Sequence, residues 1–322
     1  MKGQLTKPRA QASVALRDYG IYFALLILIA FFSIEIPEFR TWDNALLILL
    51  QVSVIGIIAV GMTFAIITAG IDLSVGSLLA VAGVFSGLFA QKDPTPFNVI
   101  MAFAAPILIG VVGGALNGAI IAGAGVNPLI VTLGTLTAFR GFVVWYRVNP
   151  IYNLQPYYSV IGQGSIGGIP APVVVLAIIA VAAWIILSFT RFGRYVYAVG
   201  GNREAARAAG IHVRLVTFFV YMISGLTVGI AALISTSRLM AAQAIAGQGF
   251  ELQAIAAAVI GGASLFGGRG KISNTIVGAI IMGVLFNGFV MLDVPQPIQQ
   301  MFVGFIIIIA VWLDGRLRNR RI

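Results

Sequence analysis

Residues 45–90 read ALLILLQVSVIGIIAVGMTFAIITAGIDLSVGSLLAVAGVFSGLFA, and the only charge among them is Asp72. Two apolar runs flank it, near 45–69 and 73–90. Each reaches the roughly 18 residues that carry a helix across about 30 Å of hydrocarbon. Backbone in hydrocarbon must satisfy its own hydrogen bonds, so runs of this length specify helices. A β-barrel would show short alternating segments instead.

The same pattern recurs outward in both directions. Ten candidate spans lie near 20–36, 45–69, 73–90, 98–122, 128–146, 171–190, 215–236, 251–266, 272–292 and 297–313, the third and eighth being short. The expected fold is an all-α polytopic membrane protein of about ten transmembrane helices. Composition agrees. The 322 residues are 60% hydrophobic and 9% charged, with a mean hydropathy of +1.02. That is too little charge to cover a water-soluble surface.

The net charge is +10, and its placement points to a membrane rather than to nucleic acid. With the N-terminus in the cytoplasm, 15 of the 20 lysines and arginines fall on inside segments. Only Arg40, Lys92, Arg140, Arg147 and Arg238 fall at or near the outer side. This is the positive-inside asymmetry, and an odd error in the span count would scramble it. It divides the chain into a cytoplasmic segment 1–19, a single transmembrane domain 20–313 with a long inside loop 191–214, and a basic cytoplasmic tail 314–322. The N-terminus imitates a signal peptide. No small-residue cleavage site follows Phe31 to Glu35, so the first helix is expected to be retained.

Short motifs recur five spans apart. Gly70-Ile71-Asp72-Leu73 opens span three and Gly249-Phe250-Glu251-Leu252 opens span eight. Asn117-Gly118, Pro128 and Gly134 echo Asn287-Gly288, Pro297 and Gly304. Five is odd, so the halves would insert in opposite senses, a candidate 5+5 inverted repeat.

Cysteine is absent, which excludes a disulfide framework, thiolate metal sites and a cysteine nucleophile. His212 is the only histidine, which argues against a His-based metal cluster or a Ser-His-Asp triad. A membrane enzyme therefore lacks its constellation, and no metal is expected.

The most informative loop is Arg191 to Arg214, RFGRYVYAVGGNREAARAAGIHVR. Gly200-Gly201-Asn202 supplies turn chemistry. Asn202 is a good cap for a short helix beginning at Arg203, and Gly210 a good stop. The helix offers a small-residue face built from Ala205, Ala206, Ala208 and Ala209. The stretch 194–211 resembles the cytoplasmic coupling segment of ribose-type ABC importer permeases. Three further stretches resemble the same family in the same order: AVGMTFAIITAGIDLSVGSLLA (59–80), NPLIVTLGTLTAFRG (127–141) and GFELQAIAAAVIGGASLFGGRGK (249–271). The resemblance implies a bacterial inner-membrane subunit of a sugar importer. It implies a dimer of permease chains, two cytoplasmic ATP-binding domains and a periplasmic sugar-binding protein. Gly200, Gly201, Asn202, Ala205, Ala206, Ala209, Gly210 and Ile211 would form the contact with the ATPase. ATP and magnesium would reside on that partner, and no cofactor is expected on this chain. The residues agree: Gly270-Lys271 is followed by Ile272 and preceded by Leu265, so no phosphate-binding G-x-x-x-x-G-K-[ST] loop exists there.

Asp72 and Glu251 are the unusual charges. An intramembrane carboxylate is expensive and points to function by default. Each also sits where a helix starts and its dipole favours an anion. Capping and direct contact with sugar both stand for Asp72 and its neighbour Ser74. In span five, Asn127, Thr132 and Thr135 either line a polar path or bond back to their own helix. Gly110, Gly114 and Gly118, with Gly225 and Gly229, are spaced for close helix packing within the chain or at a dimer face. The outer loop 147–170 carries tyrosines suited to a membrane interface, and is a candidate landing site for the binding protein. Two alternatives remain at this stage: a branched-chain amino acid or nucleoside permease of the same family, and a self-sufficient secondary transporter.

Overall fold

The computed structural model describes residues 7–319; Lys2 at one end and Arg320 and Arg321 at the other lie outside them. The helices are α1 Lys7–Glu35, α2 Trp42–Ile67, α3 Val75–Ala90, α4 Pro96–Gly123, α5 Pro128–Tyr146, α6 Ser159–Gln163, α7 Ala171–Phe189, α8 Arg191–Gly201, α9 Arg203–Ala208, α10 Val213–Leu239, α11 Phe250–Ile260, α12 Ile272–Met291 and α13 Gln296–Asn319. A hairpin of β1 Ser165–Ile166 and β2 Ile169–Pro170 precedes α7. Six helices are long and apolar enough to cross a membrane: α2, α4, α5, α7, α10 and α12. Residues 20–35 of α1, all of α3 and α11, and residues 296–312 of α13 form shorter apolar helices. Each of the ten expected spans is thus a helix. The chain is a multi-pass α-helical membrane protein.

Local chemistry sets several starts. Thr41 and Thr95 accept from Asn44 N and Asn98 N to cap α2 and α4, and Asn127 accepts from Leu129 N to cap α5. Pro96 and Pro128 follow at the first helical position, where the missing N–H costs nothing.

Two boundaries differ from expectation. The helix that opens the chain begins at Lys7 rather than near 20. The eighth span ends at Ile260, not 266, because Gly261, Gly262, Gly267 and Gly268 follow, the last three with positive φ.

Packing is organised by α2 and α10. Ile57, Ile58, Met62, Phe64 and Ile66 of α2 are fully buried. The glycines of α4 and α10 meet each other: a Cβ on Gly110 would run into Gly229 Cα at 2.8 Å, and one on Gly114 into Gly225 Cα at 2.9 Å. The repeated small residues therefore serve intrachain packing, with backbones nearly touching. Asn117 and Asn287, the matched asparagines, are both buried and bond across helices, Asn117 to Ser74 and Asn287 to Asn44.

Two breaks in the bundle matter for the site. Residues 68–74 lead into α3 and 240–249 lead into α11 as non-helical backbone. They bring the two short helices together at their starts, where Gly76 packs on Gly247. From there α3 runs toward the 147–170 end, since Gln155 N donates to Ala90 O. The α11 helix runs to the opposite end, where Gly268 N donates to Ile67 O. Non-helical backbone at membrane depth needs protein around it. Ala242 supplies some by bridging to Ile151 through two backbone bonds. The tyrosines of the outer loop do not all sit at an interface: Tyr158 is fully buried and bonded to Ser86.

Candidate functional site

Residues 190–212 form two linked helices at one end of the bundle. Thr190 caps α8 by accepting from Gly193 N at 3.1 Å. Asn202 caps α9, its Oδ1 accepting from Glu204 N at 2.9 Å and Ala205 N at 3.0 Å. Gly210 has φ +81°, and Ile211 N reaches back to Ala206 O at 3.0 Å while Gly210 N bonds Arg207 O. This is the six-to-one closure that a left-handed glycine permits. Gly200 and Gly201 are the last turn of α8, not a free turn; the reversal falls on extended Asn202 alone.

The alanines divide between two faces. Ala206 is 4% exposed and packs inward with Val196, Val199 and Val213, so it cannot belong to a docking face. With 3.6 residues per turn, one of four neighbouring positions must turn inward when a short helix lies flat on a core. Asn202, Ala205, Ala208, Ala209 and Gly210 remain exposed, beside an exposed Glu204–Arg207 pair at 3.3 Å. Ile211 is half-buried.

The underside of this unit is seated on two chain reversals. Gly200 lies against the Ile67 carbonyl at the end of α2: a Cβ there would overlap its oxygen and stand 2.7 Å from Gly268 N. Gly268 N donates to Ile67 O at 2.8 Å, and Tyr197 Oη donates to Gly270 O at 2.7 Å. Burial pushes the Tyr197 phenol up, which keeps it a donor. The Gly267–Lys271 stretch, read from sequence as a tight anchoring turn, is thus also the bearing of α8. Its density of glycine was the available signal.

Five residues beyond Ile67 stands Asp72, with no exposed surface. Its Oδ1 accepts from Ser74 N at 3.1 Å and Ser74 Oγ at 2.6 Å, and its Oδ2 accepts from Ser224 Oγ at 2.8 Å. Ser74 Oγ in turn accepts from Asn117 Nδ2 at 2.8 Å. One carboxylate therefore joins the entry of α3 to α4 and α10. The N-cap position itself is Ser74, with Asp72 two residues before it. Thr132 Oγ1 donates to Ile71 O at 3.2 Å and to Pro128 O at 2.9 Å, tying α5 to the same segment. Thr132 is buried, and Thr135 is half-buried and bonds back to Val131 O. Of Asn127, Thr132 and Thr135, only Asn127 is exposed, as a cap.

Glu251 lies in the first turn of α11, but the N-cap is Gly249 and Glu251 makes no capping bond. Its Oε2 approaches Gly76 of α3. Arg140 was assigned to the outer side from sequence. It reaches from α5 to the carbonyls of Ala244 and Ala246, the latter at 3.0 Å, and pins the 240–249 segment. Among the described residues no group of three His, Asp or Glu side chains is placed to hold a metal.

Comparison with known proteins settles the family. The family model described as branched-chain amino acid transport system / permease component matches residues 44–311. The chain belongs to this family. The permease is 41% identical over 306 residues to the ribose import permease protein of Haemophilus influenzae, covering 94% of each chain. It is 40% identical to the D-allose transport system permease protein of Escherichia coli, over 92% of this chain and 91% of that one. With the xylose transport system permease protein of Haemophilus influenzae it shares 35% identity, over 94% and 97%. No solved structure matches significantly. The matched region contains the α8–α9 unit, its glycine bearing and the Asp72 hub.

Proposed function

We propose that this permease is the membrane-spanning subunit of an ATP-driven sugar importer of the bacterial inner membrane. The observation that carries the reading is similarity along more than nine-tenths of the chain to permeases named for ribose, D-allose and xylose. The family description mentions branched-chain amino acids, but the three relatives compared above are named for sugars, which favours a monosaccharide. A self-sufficient secondary transporter is disfavoured by chemistry. Such a protein needs a relay of carboxylates open to an ion or proton path, and with the oxygens of Asp72 taken by serines Glu251 stands without a second one.

The α8–α9 end faces the cytoplasm, both termini with it; the charge asymmetry supports this orientation. Two ATP-binding partners carry ATP and magnesium and dock on the surface of Asn202, Ala205, Ala208, Ala209 and Gly210. Work passes from Gly200 to the Ile67 carbonyl and from there to the segment carrying Asp72. A second copy of the permease completes the pathway. The exposed face of α5, with Gly134, Thr137, Ala138 and Gly141, supports this: it is small and polar enough to border a sugar path across a two-fold axis. The 147–170 end receives the periplasmic sugar-binding protein.

The test is uptake of labelled D-ribose, D-allose and D-xylose into proteoliposomes containing the permease with and without its ATPase and binding protein. Uptake of one sugar that requires ATP and all components is expected. Uptake by the permease alone under an ion gradient would overturn the reading.

A further inference from the structure

Polar side chains inside an apolar bundle are normally matched to partners, yet one cavity collects four half-buried ones with capacity to spare. It lies among α2, α10, α11 and α12, has a volume of about 270 Å³, and is lined by Gln51, Ser235, Arg238 and Gln253. Among the described residues, the side chains of Gln51, Ser235 and Gln253 have no hydrogen-bond partner. Arg238 gives a single bond, from Nη1 to Leu50 O at 3.3 Å.

The lining selects the ligand's chemistry. Arg238 lies in the last turn of α10, where the helix C-terminus offsets a positive charge. The cavity therefore does not require an anion, and no carboxylate lines it to attract a cation. Two carboxamides and a hydroxyl both donate and accept, as a ring of hydroxyls requires. Phe250 and Phe286 add flat apolar surface for the C–H faces of such a ring. The mouth is at the 147–170 end: Leu239 at the rim is 58% exposed, and Gln163 Nε2 donates to Arg238 O at 3.0 Å.

We infer that this cavity is a binding site for a neutral monosaccharide, held within one protomer and separate from the α5 face. The inference rests on the sugar-import reading for its ligand class. It gives the permease a selectivity element of its own, loaded from the side on which the binding protein delivers.

The permease alone, in nanodiscs, is tested by saturation-transfer NMR against D-ribose, D-allose and D-xylose. A signal from at least one sugar is expected. In Gln51→Leu/Gln253→Leu it falls about tenfold, the loss of one to two net hydrogen bonds. Leucine suits the apolar surroundings; should the double variant melt early, Gln253→Leu alone carries the comparison. No signal from any of the three sugars, or an undiminished signal in the variant, overturns the proposal. So does a phospholipid seen by native mass spectrometry in the wild type and lost in Arg238→Gln. Uptake by the assembled wild-type importer is measured in parallel. Uptake without a cavity signal rejects this site and leaves the importer standing; a cavity signal without ATP-dependent uptake does the reverse.

Discussion

Replacing Gly200 with alanine separates the α8–α9 unit from its bearing. The added Cβ overlaps the Ile67 carbonyl oxygen and stands 2.7 Å from Gly268 N and 2.8 Å from Ile67 C. Comfortable heavy-atom contact is about 3.5 Å or more, so clearing Gly268 N alone takes roughly 0.8 Å, and clearing the closer Ile67 oxygen moves α8 further still. All three atoms belong to backbone, so no flexible side chain yields in their place. Overpacking of this kind costs about 1–3 kcal/mol. The Gly268 N–Ile67 O bond across the same contact adds about 0.5–1.5 kcal/mol if it breaks. Gly201 is the matched control. Nothing lies within 4 Å of a Cβ placed there, so Gly201→Ala leaves folding unchanged or stabilises it by up to about 1 kcal/mol. Thermal melts of the two variants in nanodiscs, with sugar moved per ATP hydrolysed in the assembled complex, provide the readout. Gly200→Ala is expected to melt several degrees lower and to hydrolyse ATP with reduced uptake. A Gly200→Ala permease with wild-type melting and full coupling would refute the transmission route through Ile67.

Three further outcomes follow from the same geometry. Asp72→Asn keeps an acceptor for Ser74 N and costs about 1 kcal/mol, whereas Asp72→Leu strands the Ser74 and Ser224 hydroxyls and costs about 3 kcal/mol or more; melts of the solubilised protein separate the two. Ala206→Trp, placed against Val196, Val199 and Val213, is expected to destabilise the fold itself, while Ala208→Trp on the exposed side is expected to spare folding and abolish co-purification with the ATPase. Gly114→Leu forces α4 away from α10 and is expected to eliminate folded protein on size-exclusion chromatography, since the obstructing atoms are backbone of Tyr221 and Gly225.

The multi-pass, all-helical character was legible in the sequence because a lipid-spanning helix announces itself by length, and six of the ten expected spans are long and apolar enough to cross. The ends of the short helices were less so. Ile260 ends α11 because glycines with positive φ follow it, and hydropathy does not separate a buried glycine loop from a buried helix. The caps at Asn202 and Gly210 were readable because capping is local chemistry. The orientation of Ala206 was not: four alanines look alike until the core beneath them is known. Asp72 shows the same limit. Its position before α3 was visible, but Ser224 lies 152 residues away, and no spacing rule connects them. Arg140 was placed by charge counting alone, and its grip on the Ala244 and Ala246 carbonyls depends on a non-helical segment that sequence patterns left unassigned.

The absence of cysteine makes the decisive experiment clean. Single substitutions Ala205→Cys, Ala206→Cys and Ala208→Cys are introduced one at a time into the assembled transporter, which is then treated with a short thiol-to-amine cross-linker in its nucleotide-free and ATP-bound states. Cross-links from positions 205 and 208 to the ATPase subunit are expected, with none from the inward-facing position 206, and their yield should change with nucleotide. If neither exposed position captures the ATPase in any state, force does not enter through the α8–α9 surface.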